Sequence, residues 1–220
     1  AIKRAVNVPV IACNRINNID TMEAILKNGM ADFVGTARGF LADPEFSRKV
    51  LEGVPYNRCQ GCNKCIEAVL KGKSVVCAYN PEAGREVEEK THRRVISAKK
   101  VIVAGAGPAG LEAAKKSAER GYKTILCTKD DKLGGLLNTA AIPPEKQDLR
   151  CFIENKKYEL EQLGVDIRLN TEVTGALIHE IQPYFVVDAT GGDVVIPPIK
   201  GIDKDNVYTA EHVLNASPEL

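Results

Sequence analysis

Four cysteines lie at close spacing between residues 59 and 77 of this 220-residue chain. Two residues separate Cys59 from Cys62 and Cys62 from Cys65, and eleven more precede Cys77. Three thiolates on one tight turn with a distant fourth are typical of a [4Fe-4S] cluster, in which each iron needs one thiolate. Zinc also takes four cysteines, but its usual form is two C-x2-C pairs about 15–20 residues apart. We interpret the four residues as cluster ligands, with structural zinc as the alternative.

The composition limits the kinds of partner that we expect. The chain is 44% hydrophobic and 27% charged with a net charge of +1, which gives no electrostatic basis for binding nucleic acid or a membrane surface. No apolar run approaches about 20 residues, so no membrane-spanning helix is predicted. Because nothing indicates secretion, disulfides are disfavoured and we expect a cytoplasmic protein. The chain opens inside an αβ unit and stops without a closing element, so we expect a piece of a longer protein.

The first part of the chain predicts two βα units. Apolar runs at Val8–Asn14 and Ala31–Thr36 are typical of strands that are buried on both faces of a parallel sheet. One helix is predicted from an N-cap at Asp20 to Gly29, and a second from Asp43 to Gly53. Two units cannot close a barrel of eight. The pattern therefore predicts part of a larger αβ structure.

Polar residues follow both predicted strands. Asn14 and Arg15 come after the first strand, and the second ends in Gly35-Thr36-Ala37-Arg38. The loops after the last two strands of an αβ barrel commonly bind phosphate, and an arginine fork next to backbone N–H groups suits a dianion. Arg38 is thus a candidate phosphate ligand, and the alternative is an ordinary exposed loop arginine.

A second domain is predicted from residue 100. The sequence KKVIVAGAGPAGLEAAKKSAERG reads as a strand, a G-x-G-x-x-G turn and a helix. Gly105 permits the tight turn, Gly107 lets the backbone approach a pyrophosphate, and Gly110 allows close helix–strand packing. The following strand, TILCT, should end in an acidic residue for the adenosine ribose. It ends in Thr128 instead, so the sequence predicts that this carboxylate is missing.

Later elements are read in the same way. We predict a helix over residues 145–163, a short strand over 165–170 and a buried strand over 185–188 that runs into a Thr-Gly-Gly turn. Residues 81–99 are charged and predict a solvated linker, where His92 is interpreted as a solvated side chain. Three further cysteines are interpreted as small buried apolar residues: Cys13, Cys127 and Cys151.

Taken together, VIACNRIN, ADFVGTARGFLADPEF, the cysteine cluster and GAGPAG resemble one family. It is the multidomain NADH:flavin oxidoreductases related to old yellow enzyme, which include 2,4-dienoyl-CoA reductase, 2-enoate reductase and trimethylamine dehydrogenase. The resemblance implies an α/β chain with the end of a (β/α)8 FMN barrel at 1–54, a [4Fe-4S] segment at 55–80, a linker at 81–99 and a doubly wound, glutathione-reductase-like FAD domain at 100–220. It also implies that an upstream barrel and an NAD(P)H domain are missing. The cysteine spacing is most similar to that of trimethylamine dehydrogenase.

The resemblance also implies roles for individual residues. At the FMN phosphate it places Arg15, Ala37 and Arg38, although Asn14 stands where the family often has glycine. At the FAD or ADP site it places Gly105, Gly107, Ala109, Gly110, Thr128, Lys129, Gly135, Val173, Thr190 and Gly191. The cluster ligands are Cys59, Cys62, Cys65 and Cys77, and no catalytic residue is assigned.

For function, the resemblance implies an enzyme that passes electrons from NAD(P)H through FAD and the cluster to FMN and reduces an activated alkene as its small-molecule substrate. The alternatives are an amine dehydrogenase with structural ADP and a non-catalytic electron-transfer or nucleotide-binding module. A homo-oligomer is left open.

Overall fold

The computed structural model describes residues 2–90, 99–192 and 194–216. The chain divides into two compact units, Ala1–His92 and Arg93–Leu220. Both are built from helices and parallel strands. Among the described residues, no helix is both long enough and apolar enough to cross a membrane. The predicted solvated position of His92 lies outside the described residues.

The first unit contains a two-stranded parallel sheet in which Ile11 pairs with Phe33 and Ala12 with Val34. Its elements are α1 (Ile2–Ala5), β1 (Ile11–Ala12), α2 (Ile19–Lys27), β2 (Phe33–Val34), α3 (Ala37–Ala42), α4 (Phe46–Glu52), α5 (Lys64–Leu70) and α6 (Glu86–Lys90). Both strands are shorter than predicted. The prediction that they are buried is also wrong, since Ile11 and Phe33 are 63% and 57% exposed. Their apolar sequence fits a sheet with more strands than this one has.

Two helix starts in the first unit differ from the prediction. The N-cap of α2 is Asn18, whose side chain accepts a hydrogen bond from the Asp20 N–H at 3.0 Å, so the prediction of Asp20 as N-cap is wrong. The helix predicted from Asp43 begins only at Phe46. Asp43 turns inward instead and accepts a hydrogen bond from the Glu45 N–H. Gly53 ends α4 in the left-handed conformation, with φ of 67°, as the glycine predicts.

The second unit is a four-stranded parallel sheet in the order β5-β4-β3-β6. Its strands are β3 (Lys100–Ala104), β4 (Lys123–Cys127), β5 (Asp166–Arg168) and β6 (Phe185–Asp188), and its helices are α7 (Pro108–Glu119), α8 (Leu136–Ala140), α9 (Leu149–Gln162), α10 (Gly175–Ile181) and α11 (Ala210–Asn215). The first strand of the unit lies between the second and the fourth. In a dinucleotide-binding fold, the crevice where the strand order reverses lies beside this first strand.

The core of the second unit lies along β3 and β4. Val101, Ile102, Val103, Leu126 and Cys127 have no exposed surface. Helix α7 packs on both strands and against α9, while Ile181 of α10 packs with a cluster formed by β3 and β4. The sheet is therefore held by helices from several parts of the chain.

A charged network joins α7 to α9 below the surface. The ammonium of Lys156 is only 2% exposed and lies 2.6 Å from a carboxylate oxygen of Glu112 and 3.1 Å from one of Glu159. Burial alone would lower the pKa of Lys115, yet the carboxylates of Glu159, Glu119 and Glu112 raise it overall. These pairs hold the helix that follows the glycine turn.

Several predictions for the second unit need correction. The strand β6 was predicted to be buried, but it is the edge of this sheet, and Phe185 and Val186 are 37% and 38% exposed. Helix α9 begins at Leu149 because Glu145 adopts a positive φ of 64°, which interrupts a helix. Its last predicted apolar residue, Leu163, is exposed.

The three single cysteines and the linker also differ in part from expectation. Cys127 is buried, Cys151 is half-buried and Cys13 is exposed, so the prediction of a buried residue is wrong for Cys13, which follows the exposed strand β1. Within the predicted linker, Ala83 is buried and residues 86–90 form α6. The predicted linker thus contains a buried residue and a short helix.

Candidate functional site

The four clustered cysteines line one pocket of the first unit. The pocket is lined by Cys59, Cys62, Cys65 and Cys77, together with residues that include Arg38, Leu41, Gln60, Asn63 and Tyr79. Cys62 is exposed and the other three are half-buried. The eleven-residue gap before the fourth cysteine therefore does not separate it from the other three.

Backbone turns bring the first three cysteines together. Gly61 and Asn63 both have positive φ, of 64° and 60°, and the chain changes direction around Cys62. Asn63 is then the N-cap of α5, which carries Cys65 in its first turn. The side chain of Asn17 donates a hydrogen bond to the Cys59 carbonyl and ties this turn to the segment that precedes α2.

A buried ion pair supports the segment that leads into the cysteines. The Lys49 ammonium lies 2.9 Å from a carboxylate oxygen of Asp43, and both side chains are about 5% exposed or less. The same oxygen accepts a hydrogen bond from the Asn57 N–H at 2.9 Å. On the other side, the Asn80 amide donates to the Leu41 carbonyl at 3.0 Å and holds the residues after Cys77 against α3. Charged and polar contacts thus fix both ends of the cysteine segment.

Several donors point toward the cysteine sulfurs or into the pocket. The N–H groups of Gly61 and Tyr79 each lie 3.5 Å from a sulfur, that of Cys59 and that of Cys77. The buried amide nitrogen of Gln60 has no hydrogen-bond partner among the described residues. Such donors suit the thiolates and sulfides of an iron–sulfur cluster, whose potential depends on hydrogen bonds to sulfur. In the described part of the chain, however, no three His, Cys, Asp or Glu side chains are arranged closely enough to hold a metal ion.

The two predicted phosphate-binding arginines both contact the cysteine turn. A guanidinium nitrogen of Arg38 donates to the side-chain oxygen of Asn63 at 2.8 Å. The side chain of Arg15 lies over Gly61, where an added methyl group would be 3.2 Å from Nε. Ala37 begins α3 and is exposed. The structure thus places both arginines next to the cysteine turn, and the role of all three residues toward FMN stays a prediction.

Asn14 adopts a conformation that favours glycine. Its φ is 94°, a value that is uncommon for residues other than glycine, although asparagine tolerates the left-handed region better than most. The departure at this position therefore keeps the backbone shape that a glycine would allow.

In the second unit, the glycine turn is packed so tightly that two of its glycines have no substitute. A methyl group on Gly105 would lie 2.2 Å from the Ala189 carbonyl oxygen, and one on Gly110 would lie 1.8 Å from the Gly105 carbonyl oxygen. A methyl group on Gly107, by contrast, would meet nothing within 4 Å. Gly107 is the N-cap of α7, and Pro108 and the exposed Ala109 follow it. The turn thus leaves open space in front of a helix N-terminus, where free N–H groups favour an anion.

The LGG segment closes one side of this space. The Gly134 N–H donates to the Ala106 carbonyl at 2.8 Å, and a methyl group on Gly135 would lie 3.2 Å from the Gly107 α-carbon. Gly135 is therefore next to the predicted pyrophosphate position. The sequence reading named Gly135 but missed Gly134, whose φ of 112° only glycine adopts readily.

At the end of β4, a carboxylate lies close to the threonine that stands where an acidic residue was expected. Thr128 is buried, and its hydroxyl lies 3.3 Å from a carboxylate oxygen of Asp130. The Asp130 N–H in turn donates to the Thr128 hydroxyl at 3.3 Å. The matching position itself thus has no carboxylate, and the nearby one comes from two residues further along the chain. Lys129 between them is exposed.

Three further residues were predicted to contact the nucleotide: Val173, Thr190 and Gly191. Val173 is half-buried and packs against the core cluster next to α10. Thr190 is exposed, and its N–H and hydroxyl donate to Asp188 at 3.1 and 2.8 Å. These two bonds hold the pKa of the Asp188 carboxyl below its ordinary value. Gly191 has a positive φ of 87° and open space around it.

Two protein families match different parts of the chain. Residues 1–57 match the NADH:flavin oxidoreductase / NADH oxidase family, and residues 100–191 match the FAD dependent oxidoreductases. In the sequence, the four cysteines lie between the two matched segments. The order of segments is the one that the resemblance predicts.

Individual relatives cover almost all of this chain. A metal reductase from Desulforamulus reducens is 43% identical over 208 residues, which are 90% of this chain and 30% of the relative. A bilirubin reductase from Mediterraneibacter gnavus is 38% identical, over 97% of this chain and 34% of its own. The solved structure of a 2-naphthoyl-CoA reductase in complex with 2-naphthoyl-CoA superposes with a TM-score of 0.90 at 31% identity, over 100% of this chain and 34% of that one. The chain thus spans about a third of the length of the relatives that it matches.

Proposed function

Because this chain belongs to the flavin oxidoreductases that join an NADH:flavin oxidoreductase segment to an FAD-dependent oxidoreductase segment, we propose that the whole protein is an NAD(P)H-dependent reductase of activated alkenes. The observation that carries the proposal is the pocket of the first unit that four cysteines line. The expected fold, an α/β chain with the end of a flavin barrel and a nucleotide-binding domain, is confirmed by the solved relative. The upstream barrel, the NAD(P)H domain and assembly into a homo-oligomer are parts of this proposal.

When bound, the cofactors would together supply a path for electrons from NAD(P)H through FAD and a [4Fe-4S] cluster to FMN and then to the alkene. The four cysteines would hold the cluster, and the N–H groups of Gly61 and Tyr79 would stabilise the charge on two of the sulfurs. Arg15 and Arg38 would bind the FMN phosphate, since guanidinium groups suit a dianion. The open space at Gly107 and the N-terminus of α7 would take the pyrophosphate of the adenine nucleotide.

The proposal is tested on the full-length protein purified without oxygen. We expect bound FMN and FAD, and oxidation of NADH or NADPH that depends on an added alkene such as cinnamate or crotonyl-CoA. In the Cys62→Ser variant we expect NAD(P)H still to bleach FAD, while alkene reduction is lost. A Cys13→Ser variant is the matched control and should keep both activities. Alkene reduction that survives in Cys62→Ser would contradict the proposed path.

A second candidate is an amine dehydrogenase that keeps ADP as a structural nucleotide. One feature of this chain favours it, the C-x2-C-x2-C spacing, which is most similar to that of trimethylamine dehydrogenase. Extraction of the bound nucleotide distinguishes the candidates. We expect FAD, and recovery of stoichiometric ADP with no FAD would favour the amine dehydrogenase.

A further inference from the structure

The end of β4 lacks the acidic residue that dinucleotide-binding folds use for the adenosine ribose, but a carboxylate stands next to this position. We propose that Asp130, held in place by Thr128, accepts the hydrogen bonds of the adenosine ribose hydroxyls. The inference rests on the proposed nucleotide-binding function. It concerns the part of the nucleotide that FAD and ADP share.

Asp130 lies in a loop that is attached to the glycine turn. The Gly105 N–H donates to the Cys127 carbonyl at 2.8 Å, so the turn starts beside the last residue of β4. Seven residues after Cys127, the Gly134 N–H donates to the Ala106 carbonyl at 2.8 Å. The loop over residues 128–133 is therefore attached to the glycine turn at both ends, and Asp130 lies within it.

Hydrogen bonds with β5 and the residues after it also hold this loop. The Thr128 N–H donates to the Arg168 carbonyl at 3.0 Å, and the Thr171 N–H donates to the Thr128 carbonyl at 2.7 Å. The Asn170 N–H donates to the Asp130 carbonyl at 2.9 Å. The backbone of Asp130 is thus held by β5 and the residues after it, and its carboxylate does not depend on a ligand for its position.

The Thr128 hydroxyl is already hydrogen bonded to Asp130, whereas Asp130 is exposed. Thr128 is 4% exposed, so its hydroxyl is directed to Asp130 and is not available to a ribose. The Asp130 carboxylate has about four lone-pair sites, and the Thr128 hydroxyl needs only one of them. A carboxylate can accept from both ribose hydroxyls at once, whereas threonine alone cannot.

The arrangement also predicts that a carboxylate at Thr128 itself would not help. Glutamate there would bring a second negative charge within a few ångströms of Asp130 and would remove the hydroxyl that orients it. Like charges at this distance repel each other. Thr128 is therefore a positioning residue, and Asp130 is the group that contacts the ribose.

The test compares ADP with 2′-deoxy-ADP in calorimetric titrations of the full-length protein after removal of bound nucleotide. We expect the wild type to bind ADP about 10- to 100-fold more tightly than 2′-deoxy-ADP, the range of a hydrogen bond to a charged group. Asp130→Asn should weaken ADP binding by a similar factor and abolish the preference for ADP. Asp131→Asn removes the same charge from the neighbouring exposed residue and should behave like the wild type.

A second pair of variants tests the positioning role. Thr128→Val removes the hydroxyl at similar volume and should reduce the preference for ADP, and Thr128→Ser should restore it. If Asp130→Asn keeps the preference for ADP, the inference is wrong while the nucleotide site stands. If the wild type binds neither nucleotide, the proposed nucleotide-binding function is wrong and the inference falls with it.

Discussion

The two units of this chain form their candidate sites by different means. In the second unit the site is formed by the backbone. Gly105, Gly107 and Gly110 belong to a turn that hydrogen bonds to β4 and continues into α7. In the first unit the site is made of cysteine side chains on turns, and its sheet has only two residues in each strand. Buried polar contacts, such as Asp43 with Lys49, take the place of an extended apolar core there.

The two candidate sites therefore obtain their stability from different sources. The nucleotide site is part of a sheet whose central strands have no exposed side chains at Val101, Ile102 and Val103, so its shape precedes the ligand. The cysteine site depends on a few directed contacts, and a bound metal would add to its stability because metal binding contributes directly to folding. We therefore expect changes in the first unit to act through polar contacts and changes in the second through steric fit.

The largest effect is expected from Lys49→Met. It leaves the Asp43 carboxylate buried without its ammonium partner, and breaking a buried pair in this way costs about 3–5 kcal/mol. Hydrogen exchange measured by mass spectrometry should show that amides of residues 43–60 lose protection while those of β3 and β4 do not. The control is Lys27→Met, which removes an exposed pair with Glu23 and should change nothing measurable. Equal loss of protection in both units would contradict the comparison.

Gly110→Ala should destabilise the second unit by about 3 kcal/mol, at the upper end of the usual cost of overpacking. The added methyl group would lie 1.8 Å from a backbone oxygen, which cannot move as a flexible side chain can. The expected result is a lower unfolding midpoint in urea for the second unit alone. The matched control is Gly175→Ala, because a methyl group on Gly175 would meet nothing within 4 Å. If Gly175→Ala lowered the midpoint as much as Gly110→Ala does, steric fit would not be the cause.

Arg38→Ala should weaken FMN binding by the full-length protein by about 1.5–3 kcal/mol, the range of a hydrogen bond to a charged group. Because Arg38 also donates to Asn63, the iron content is measured in the same preparation. Arg48→Ala is the control, since Arg48 is exposed and pairs only with Glu45 and Glu52 in the contacts found for it. Unchanged FMN affinity in Arg38→Ala would exclude the assigned phosphate role.

Gly107→Ala separates the fold from the site within the second unit. Nothing lies within 4 Å of the added methyl group and φ is −71°, so we expect a stability change below about 1 kcal/mol. Nucleotide binding should weaken by about 1–3 kcal/mol, because the methyl group fills space that the pyrophosphate needs. Titration of ADP measures the effect. Undiminished affinity would mean that the pyrophosphate lies elsewhere.

The smallest effect is expected from Asn18→Ala, which removes the side-chain cap of α2. Loss of such a cap costs about 1 kcal/mol. Thermal unfolding of the first unit should show the loss, and Asn18→Asp should restore most of the stability because aspartate caps equally well. A larger effect for Asn18→Ala than for Lys49→Met would mean that helix capping and not the buried ion pair holds this unit.

The two units also differ in how far their sequences predicted them. The strand, glycine turn and helix from residue 100 onward were predicted well, because local patterns and steric rules specify them. The contact between Asp130 and Thr128 was missed, since it depends on how a loop folds back across two residues. No periodicity or motif marks that contact.

In the first unit, tertiary context had more influence. Asp43 looked like a helix N-cap, but burial next to Lys49 gave its carboxylate a stronger partner. Helix α3 was not predicted, and its Gly39 is buried against Thr36. The convergence of the four cysteines was predicted from spacing alone, whereas the contact of both arginines with the cysteine turn was not.

The proposed electron path depends on a [4Fe-4S] cluster in the cysteine pocket of the first unit. Iron, acid-labile sulfide and zinc measured together in protein purified without oxygen test it most directly. We expect about four iron and four sulfide per chain, lost in Cys59→Ser or Cys77→Ser and retained in Cys151→Ser. One zinc per chain without sulfide would contradict the claim and make the first unit a zinc-stabilised structural segment.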